Sequence, residues 1–481
     1  MKNRRLTFFL LVLLVIFSAG ILYVWGTPRL LAVSPAVNAS GVPSGASLRL
    51  TFSRPMQSAS VTERLSLEPT RKGAYTWDGN TLVFTPSQAW PSGQSIHVRL
   101  ASGARAAGLL SFTLRDPVDW TFTIGHPRLV YLYPAGGAAN LYLLDLLSGK
   151  SEPLTALQQG VQEYDINPSG TRIYFSTPNS QGGSDLYLLE LAQSGVMPST
   201  DQATPTPEKP AAPVLVLACE QDSCRNPQIN HQGDLLAYER TGGGQDALAG
   251  SPQVWLLPTA AGTAGASPAP SLAGDPGHTT LQPSWSTGGL LAFYDPAALA
   301  YVLLDPYSRQ SALFSNQAGQ PGAWDPDGQA YVAPEISGVA VSRAITNSVT
   351  TITNSRLIRF NRTDGKTRDL SQADDVEDGN PAFSPDGKVL AFSRRYLDPV
   401  RLAPGRQLWL MLANGQDARP LTNDPNVTNY EFAWSPDGSQ LAYVRFDQTA
   451  LIEPPELWIV RPDGTGDKQL VVGGYNPQWI P

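Results

Sequence analysis

Histidine and cysteine, the residues that most often build metal and acid–base sites, are scarce in this chain of 481 residues. The four histidines, His97, His126, His231 and His278, are scattered, and no HExxH motif places two of them on one helix face. The GxSxG motif, which positions the nucleophile of many serine hydrolases, is also missing. The sequence therefore predicts no metal, no cofactor and no catalytic residue of a familiar type.

Basic residues are not in excess either, because the formal net charge is −7 and no basic patch is present. Proteins that bind nucleic acid carry a basic surface, so a nucleic-acid partner is excluded. The acidic run at 374–378 lacks the spacing of an EF-hand loop and favours a solvated loop over a calcium site. The basic loop at 394–407 also favours a solvated loop over a binding loop.

The two cysteines, Cys219 and Cys224, stand close together in the segment CEQDSC. An extracytoplasmic location would favour their oxidation. We therefore prefer a local disulfide, with free thiols and a metal site as alternatives. His231 is near in sequence, but these three residues lack the ligand spacing of a zinc site.

Glycine and proline are abundant, with 43 and 42 copies, as is typical of a turn-rich all-β chain. The segment SPDGSQLAYV at 435–444 and its near copy SPDGKVLAFS at 384–393 each predict a tight turn followed by a strand. Because that strand is apolar at successive positions, we expect a sheet that is covered on both faces. Weaker copies begin at Asn167, Asn230, Ser286 and Asp325. The turn residues with a predicted structural role are Asp327, Gly328, Asp386, Gly387, Asp437 and Gly438.

Each copy belongs to a longer unit of four strands. An apolar residue that usually follows a proline precedes the turn, as in NPAF at 380–383, and a third and a short fourth strand follow, as in LWLML at 408–412 and RPLT at 419–422. Four strands per unit, repeated every few tens of residues, are typical of a β-propeller. The pattern resembles the WD40-like repeat of TolB-like propellers over about residues 126–481. This resemblance implies a propeller fold and suggests protein partners in the cell envelope or periplasm.

The two ends of this region predict how the propeller closes. Residues 128–155 supply the second to fourth strands of a unit, whereas 476–481 match a first strand with no turn after it. We therefore expect 476–481 to complete the unit at 128–155, which leaves no open sheet edge. This arrangement gives seven blades, with six as the alternative if residues 320–371 do not form a full blade.

The N-terminus predicts a membrane anchor. Residues 1–5 are basic, and 6–26 form an apolar run long enough to span a bilayer as a helix. The basic flank places residues 1–5 in the cytoplasm and the bulk of the chain outside, at the cell surface or in the periplasm. The alternative is a cleaved signal peptide, but the apolar run is longer than a typical signal core and no A-x-A cleavage site follows.

Residues 27–125 predict a separate β-sandwich, because short strand-like runs alternate with turn signals such as Asp78-Gly79 and Ser92-Gly93. The stretch from VSPAVNASGVPSG to WTFTIG resembles a bacterial Ig-like domain of the SbsA type. It lacks the cysteine pair of antibody domains. The resemblance implies a spacer or adhesion module and no chemistry.

These observations together predict an all-β protein that is anchored in the membrane and presents a propeller outside the cytoplasm for binding or scaffolding. The partner would be a protein or a cell-envelope polymer. Two alternatives stay open: a propeller enzyme acting on glycan, either a glycosidase or a lyase, and a structural component of the cell surface. A glycan-active site would need carboxylates from different blades to converge.

Overall fold

The computed structural model of the chain describes residues 27–108, 111–191, 212–242, 250–259, 269–343 and 348–480. The predicted cytoplasmic tail at 1–5 and the predicted anchor at 6–26 lie outside these ranges. Within them, no helix is long and apolar enough to cross a membrane. The chain separates into two compact units, with the boundary between Gly125 and His126.

The first unit is a sandwich of two antiparallel sheets. Its elements are β1 (Leu30–Ser34), β2 (Leu48–Phe52), α1 (Ser58–Thr62), β3 (Leu65–Glu68), β4 (Gly73–Asp78), β5 (Thr81–Pro86), β6 (Ser95–Leu100) and β7 (Val118–Thr123). One sheet has the order β1-β2-β5-β4 and the other the order β3-β6-β7. The predicted β-sandwich is therefore present.

The core of this sandwich follows from the alternation of its strands. In β2, Leu48, Leu50 and Phe52 are buried while Arg49 is exposed, as expected of a strand with one face on the core. Trp90 is fully buried, packs edge-on against Phe122, and donates its indole N–H to the Ala46 carbonyl at 2.7 Å. A buried indole needs such an acceptor, because an unpaired polar group inside a core is destabilising.

In the part of the second unit that the structure describes, the strands form seven four-stranded antiparallel meanders, which we number from the N-terminus. Single parallel bridges join meanders 2 and 3, and meanders 5 and 6, into eight-stranded sheets. Meander 1 contains β35 (Tyr475–Trp479), β8 (Arg128–Tyr133), β9 (Asn140–Asp145) and β10 (Ser151–Pro153), and meander 2 contains β11 (Tyr164–Ile166), β12 (Arg172–Pro178), β13 (Ser184–Glu190) and β14 (Val214–Leu217). Meander 3 contains β15 (Ser223–Ile229), β16 (Leu235–Thr241), β17 (Pro252–Pro258) and β18 (Ser271–Leu272), and meander 4 contains β19 (Leu281–Trp285), β20 (Leu291–Asp295), β21 (Ala300–Leu304) and β22 (Ser311–Ser315). Meander 5 contains β23 (Ala323–Trp324), β24 (Ala330–Arg343), β25 (Ser348–Asn361) and β26 (Thr367–Asp369). Meander 6 contains β27 (Val376–Phe383), β28 (Val389–Tyr396), β29 (Gln407–Leu412) and β30 (Arg419–Pro420), and meander 7 contains β31 (Val427–Trp434), β32 (Leu441–Asp447), β33 (Glu456–Val460) and β34 (Lys468–Val472).

The second strand of each meander is buried on both faces, as its unbroken apolar sequence predicts. Every residue of β20 is buried, and so are Leu441 to Val444 of β32. Each of these two strands lies between neighbours in its own meander, and its two faces pack against the two adjoining meanders. This is the architecture of a β-propeller, in which successive small sheets cover one another.

The C-terminal strand completes the first meander. Strand β35 pairs antiparallel with β8, with Trp479 opposite Leu129, and the Ile480 amide donates to the Arg128 carbonyl at 3.0 Å. Strand β35 therefore takes the position of a first strand in meander 1. Because β8 would otherwise be an open edge, this pairing joins the two ends of the second unit in one sheet.

The proline that marks the first strands belongs to a β-bulge. Asn226, Gln282, Asn380 and Asn476 each precede a proline and have φ of 48°, 59°, 50° and 50°. In all four strands the ladder register shifts at this point. Asparagine tolerates the left-handed conformation better than most residues, and a bulge bends and twists the strand. The sequence mark therefore encodes a bend in the first strand.

Candidate functional site

The first strands of neighbouring meanders are connected by tryptophan side chains. Each indole N–H donates to a backbone carbonyl in the first strand of the preceding meander, and Trp479 uses the same bond to join meander 1 to meander 7. The four bonds are Trp285 to Gln228 at 2.8 Å, Trp324 to Ser284 at 3.2 Å, Trp434 to Ala382 at 3.0 Å and Trp479 to Ala433 at 2.8 Å. The aromatic residue after the proline mark is thus a connection between meanders.

Carboxylates form a second set of connections. Asp165 accepts the Ile229 amide at 2.8 Å, and Glu239 accepts the Gln282 amide at 2.7 Å. Glu431 accepts the Asn476 amide at 2.5 Å. Each carboxylate belongs to one meander and each amide to the first strand of the next, so these acids satisfy backbone donors of the neighbouring meander; two of these donors, Gln282 and Asn476, lie at the bulges.

Two of these acids, Asp165 and Glu431, act electrostatically on Tyr164, whose side chain contacts meander 1. The Tyr164 hydroxyl lies 2.8 Å from the Val130 carbonyl and 2.6 Å from the Asn476 carbonyl, and the Gln478 side-chain amide donates to the Tyr164 carbonyl at 2.9 Å. Its pKa is raised by burial first and then by the negative charges of Glu431 and Asp165. We call Tyr164, Asp165, Glu431 and Asn476 the closure cluster, because they join meanders 7, 1 and 2.

The closure cluster has unusual acid–base properties. Burial raises the pKa of Asp165 to about 7, although the amides of Ile229 and Ile166 oppose the shift. Burial also raises the pKa of Glu431, against the lowering effect of the Asn476 amide. Both shifts have the same cause, since a carboxylate removed from water favours its neutral form. Asp165 can therefore hold or release a proton near neutral pH, but both acids already accept backbone amides.

An ion pair lies beside this cluster. The Arg225 guanidinium donates to both carboxylate oxygens of Glu163, with its Nε 3.2 Å from Oε2. Tyr475 is half-buried, and its pKa is raised by burial and then by the charges of Glu431 and Glu163. Sequence inspection did not identify any of these residues, because their positions around a common centre depend on how the meanders pack.

Each of the predicted turns at 327–328, 386–387 and 437–438 contains a glycine with a positive φ. Gly328, Gly387 and Gly438 have φ of 65°, 69° and 71°, values that favour glycine. Asp437 accepts the Ser435 hydroxyl at 2.7 Å and the Ser439 amide at 3.0 Å, and Asp386 is bonded in the same way. In the described part of the chain, no bond to the Asp327 carboxylate is found.

The first residue of every copy of the turn has a common side-chain role, which sequence inspection overlooked. Its side-chain oxygen accepts a backbone amide four or five residues later, while its carbonyl accepts the amide of the turn glycine. The six residues are Asn167, Asn230, Ser286, Asp325, Ser384 and Ser435. Only asparagine, serine and aspartate occur, because the bond needs a short side chain with an acceptor oxygen.

The two cysteines are joined in the structure. Cys219 and Cys224 form a disulfide with Cα atoms 6.1 Å apart, and both residues are buried. The Cys219 amide donates to the Asp185 carboxylate at 2.8 Å, which fixes the loop before β15 to meander 2. The disulfide is part of a junction between meanders.

The acidic run at 374–378 and the basic loop at 394–407 pair with each other. Arg394 donates to both oxygens of Asp378 at 2.7 and 2.6 Å, and both side chains are buried. Glu377 accepts from Arg395 and from Arg406. The prediction of two solvated loops is therefore wrong for these residues, because charges of opposite sign neutralise each other between them. Among the residues that the structure describes, no group of three or more histidine, cysteine or acidic side chains could hold a metal ion.

Comparison with known proteins identifies the first unit. Residues 26–124 match the bacterial Ig-like domain family, so this part of the chain is a bacterial Ig-like domain. No curated protein matches the chain. Similar solved structures are those of TolB and of other propeller proteins.

Three of these structures indicate the extent of the likeness. The putative TolB of Agrobacterium tumefaciens is 16% identical, with 73% of this chain and 92% of that chain covered and a TM-score of 0.38. The TolB of Acinetobacter baumannii is 13% identical, with 87% and 83% covered and a TM-score of 0.41. The propeller domain of the Trilobed protease of Pyrococcus furiosus is 10% identical, with 79% and 95% covered and a TM-score of 0.43. At these identities the likeness concerns the fold alone.

Proposed function

We propose that this protein binds or scaffolds other molecules of the cell envelope. In this proposal residues 6–26 anchor the chain in the membrane, the Ig-like domain acts as a spacer, and the seven meanders are seven blades of one closed propeller. The partner is a protein or an envelope polymer. Membrane anchoring is supported by the apolar run and its basic flank, and closure by the pairing of β35 with β8.

The observation that carries the binding function is a set of exposed aliphatic side chains. Val400 and Leu402 lie between β28 and β29, and their exposed fractions are 92% and 59%. Leu451 and Ile452 lie between β32 and β33, and theirs are 69% and 99%. Both loops connect the second and third strands of neighbouring meanders, so both lie on one face of the propeller. Strongly exposed aliphatic residues on loops of one face are candidates for an interaction surface.

The carboxylates that bond to neighbouring meanders argue against the enzyme alternative. Asp165, Glu239 and Glu431 each hold a backbone amide of the next meander, and Glu163 pairs with Arg225. A general acid or base needs a free position toward the substrate. One observation nevertheless favours a glycan-active site as the second candidate, because the pKa of Asp165 near 7 suits proton transfer at neutral pH.

Photo-crosslinking in intact cells tests the binding surface. A photoreactive amino acid at Ile452 should form cross-links to an envelope component, whereas the same amino acid at Asp364, an exposed turn on the opposite face, should not. The variant Ile452→Asp should weaken the captured complex, and Leu313→Asp, which changes an exposed leucine elsewhere, should leave it intact. Equal cross-linking from both positions would refute the assigned surface.

Two further measurements address the anchor and the alternative enzyme. Protease added to spheroplasts should remove the propeller and leave a membrane-bound fragment; a mature N-terminus near residue 27 would contradict the anchor. Purified full-length protein should release no product from cell-wall glycan. Turnover that disappears in Asp165→Asn and Glu431→Gln while both variants stay folded would establish the glycan-active enzyme instead.

A further inference from the structure

A pocket of about 330 Å³ lies between meanders 3 and 4. Leu235, Leu256 and Leu272 line it from meander 3, and Pro306 lines it from the turn between β21 and β22. Tyr307 and Arg309 of that turn complete the wall. The lining is therefore apolar at its base and carries one cationic side chain.

This pocket is separate from the exposed aliphatic loops. In an antiparallel meander, the connections between strands one and two and between strands three and four lie at the same end, and the connection between strands two and three lies at the other. The turn at 305–310 connects strands three and four of meander 4. The pocket thus opens on the face opposite Val400 and Ile452, and an occupant would be a second partner.

Arg309 occupies a turn position at which glycine stands in the equivalent turns of two other meanders. The same turn recurs in meanders 1 and 5, where Gly149 and Gly365 donate to the carbonyls of Asp145 and Asn361 at 2.8 and 2.9 Å with φ of 71° and 67°. In meander 4, Arg309 makes this bond to Asp305 at 2.8 Å with φ of 59°. Glycine adopts that conformation without strain and arginine does not. Arg309 thus presents a guanidinium at the pocket from a backbone conformation that is less favourable for arginine than for glycine.

The guanidinium has capacity for a ligand. One of its donors bonds the Leu272 carbonyl at 3.2 Å, and no carboxylate among the described residues lies within ion-pair distance of it. Arginine has five donors and pairs strongly with carboxylates, so the remaining N–H groups suit an acidic group. Asp234 forms no ion pair with it; its oxygens accept the Tyr307 hydroxyl at 3.0 Å and the Asn230 amide at 2.6 Å.

The Tyr307 side chain, which lines the pocket, is held by a hydrogen bond to meander 3. Its hydroxyl joins meander 4 to Asp234 of meander 3, although the ring itself is largely exposed. Burial and the hydrogen bond to Asp234 raise the pKa of Tyr307 to about 12, so the hydroxyl stays a donor at physiological pH. The side chains that frame the pocket are thus held in place before a ligand arrives, which lowers the entropic cost of binding.

We propose that this pocket docks a segment of a partner protein in which an aliphatic side chain stands next to an aspartate or glutamate. The aliphatic side chain fills the space between the three leucines, and the carboxylate pairs with Arg309. The volume is at the lower end of the range for pockets that enclose a whole small molecule, so an anchoring side chain of a larger partner fits it better. This proposal does not depend on the function proposed for the opposite face.

The test is selection of phage-displayed random heptapeptides against the full-length protein in detergent. Enriched peptides should contain an acidic residue beside an aliphatic one. Synthetic copies should bind roughly 10-fold or more weakly to Arg309→Gly, because a charge-assisted hydrogen bond is lost. Replacing the peptide's acidic residue by its amide should weaken binding to the wild type equally, and should have no further effect on binding to Arg309→Gly.

The choice of glycine separates binding from folding. Since glycine relieves the strain at this position, Arg309→Gly should melt no lower than the wild type while it loses the peptide. Gly365→Arg, which places arginine in the same turn of meander 5, should bind the peptide as the wild type does. Enrichment of peptides without the acidic–aliphatic pair, no enrichment at all, or unchanged binding by Arg309→Gly would each overturn the proposal.

Discussion

Replacing Trp479 by alanine should weaken the second unit at the sheet that joins its two ends. Trp479 is 6% exposed and packs in one cluster with Leu129 of meander 1 and Val444 of meander 7. Removing such an indole from a core lowers the free energy of unfolding by about 3–5 kcal/mol. Trp479→Phe retains most of the apolar contact but leaves the Ala433 carbonyl without its donor, so we expect a loss of only about 1–2 kcal/mol.

Urea denaturation and hydrogen exchange measure this effect. In Trp479→Ala the amides of β8 should exchange faster, because β35 is the strand that covers its edge. The control is Trp324→Ala, which removes an equivalent bond between meanders 4 and 5 and should accelerate exchange there, not in β8. Unchanged exchange of β8 together with an unchanged free energy of unfolding would refute the argument that Trp479 secures the closure.

Three other predictions concern single side chains. Asp325→Ala should lower the free energy of unfolding by about 2–3 kcal/mol, because Asp325 accepts two turn amides and pairs with Arg359, whereas Asp327→Ala should change it by less than about 0.5 kcal/mol. Burial raises the pKa of Asp165 from 3.8 to about 7, so the folded state holds a proton that the unfolded chain has lost. The wild type should therefore lose stability as pH rises from about 4 to 7, by up to about 4 kcal/mol relative to Asp165→Asn in urea titrations at each pH. Cys219→Ser should lower the free energy of unfolding by about 2 kcal/mol, and thiol titration of the denatured wild type should find free thiols only after reduction.

These predictions depend on different kinds of contact. The Asp325 effect arises within one meander, from its turn and from Arg359 of β25, and the Cys219 effect within one short loop. The Trp479 and Asp165 effects arise between meanders, since their partners are Ala433 and Ile229. A meander separated from its neighbours would therefore retain the first kind of effect and lose the second.

The sequence by itself determined the local geometry of this protein. A turn is formed by four or five consecutive residues, so Gly438 and its copies identify the meanders without any knowledge of packing. Asparagine before proline identifies the bulge for the same reason, and the unmatched NPQW segment identifies the strand that pairs with β8. Alternating and unbroken apolar strands distinguish the Ig-like sandwich from the propeller.

Only the tertiary structure decided which distant side chains meet. The sequence predicts that Arg394 and Asp378 belong to two solvated loops. In the folded meander they instead form a buried ion pair. Asp165 and Glu431 stand far apart in the chain, and the pKa of each carboxyl rises because packing against the next meander partly removes it from water. The pocket at Arg309 exists only because meander 4 lies against meander 3. Backbone conformation depends on neighbours in sequence, whereas burial and electrostatic partners depend on neighbours in space, and a repeat pattern specifies only the first.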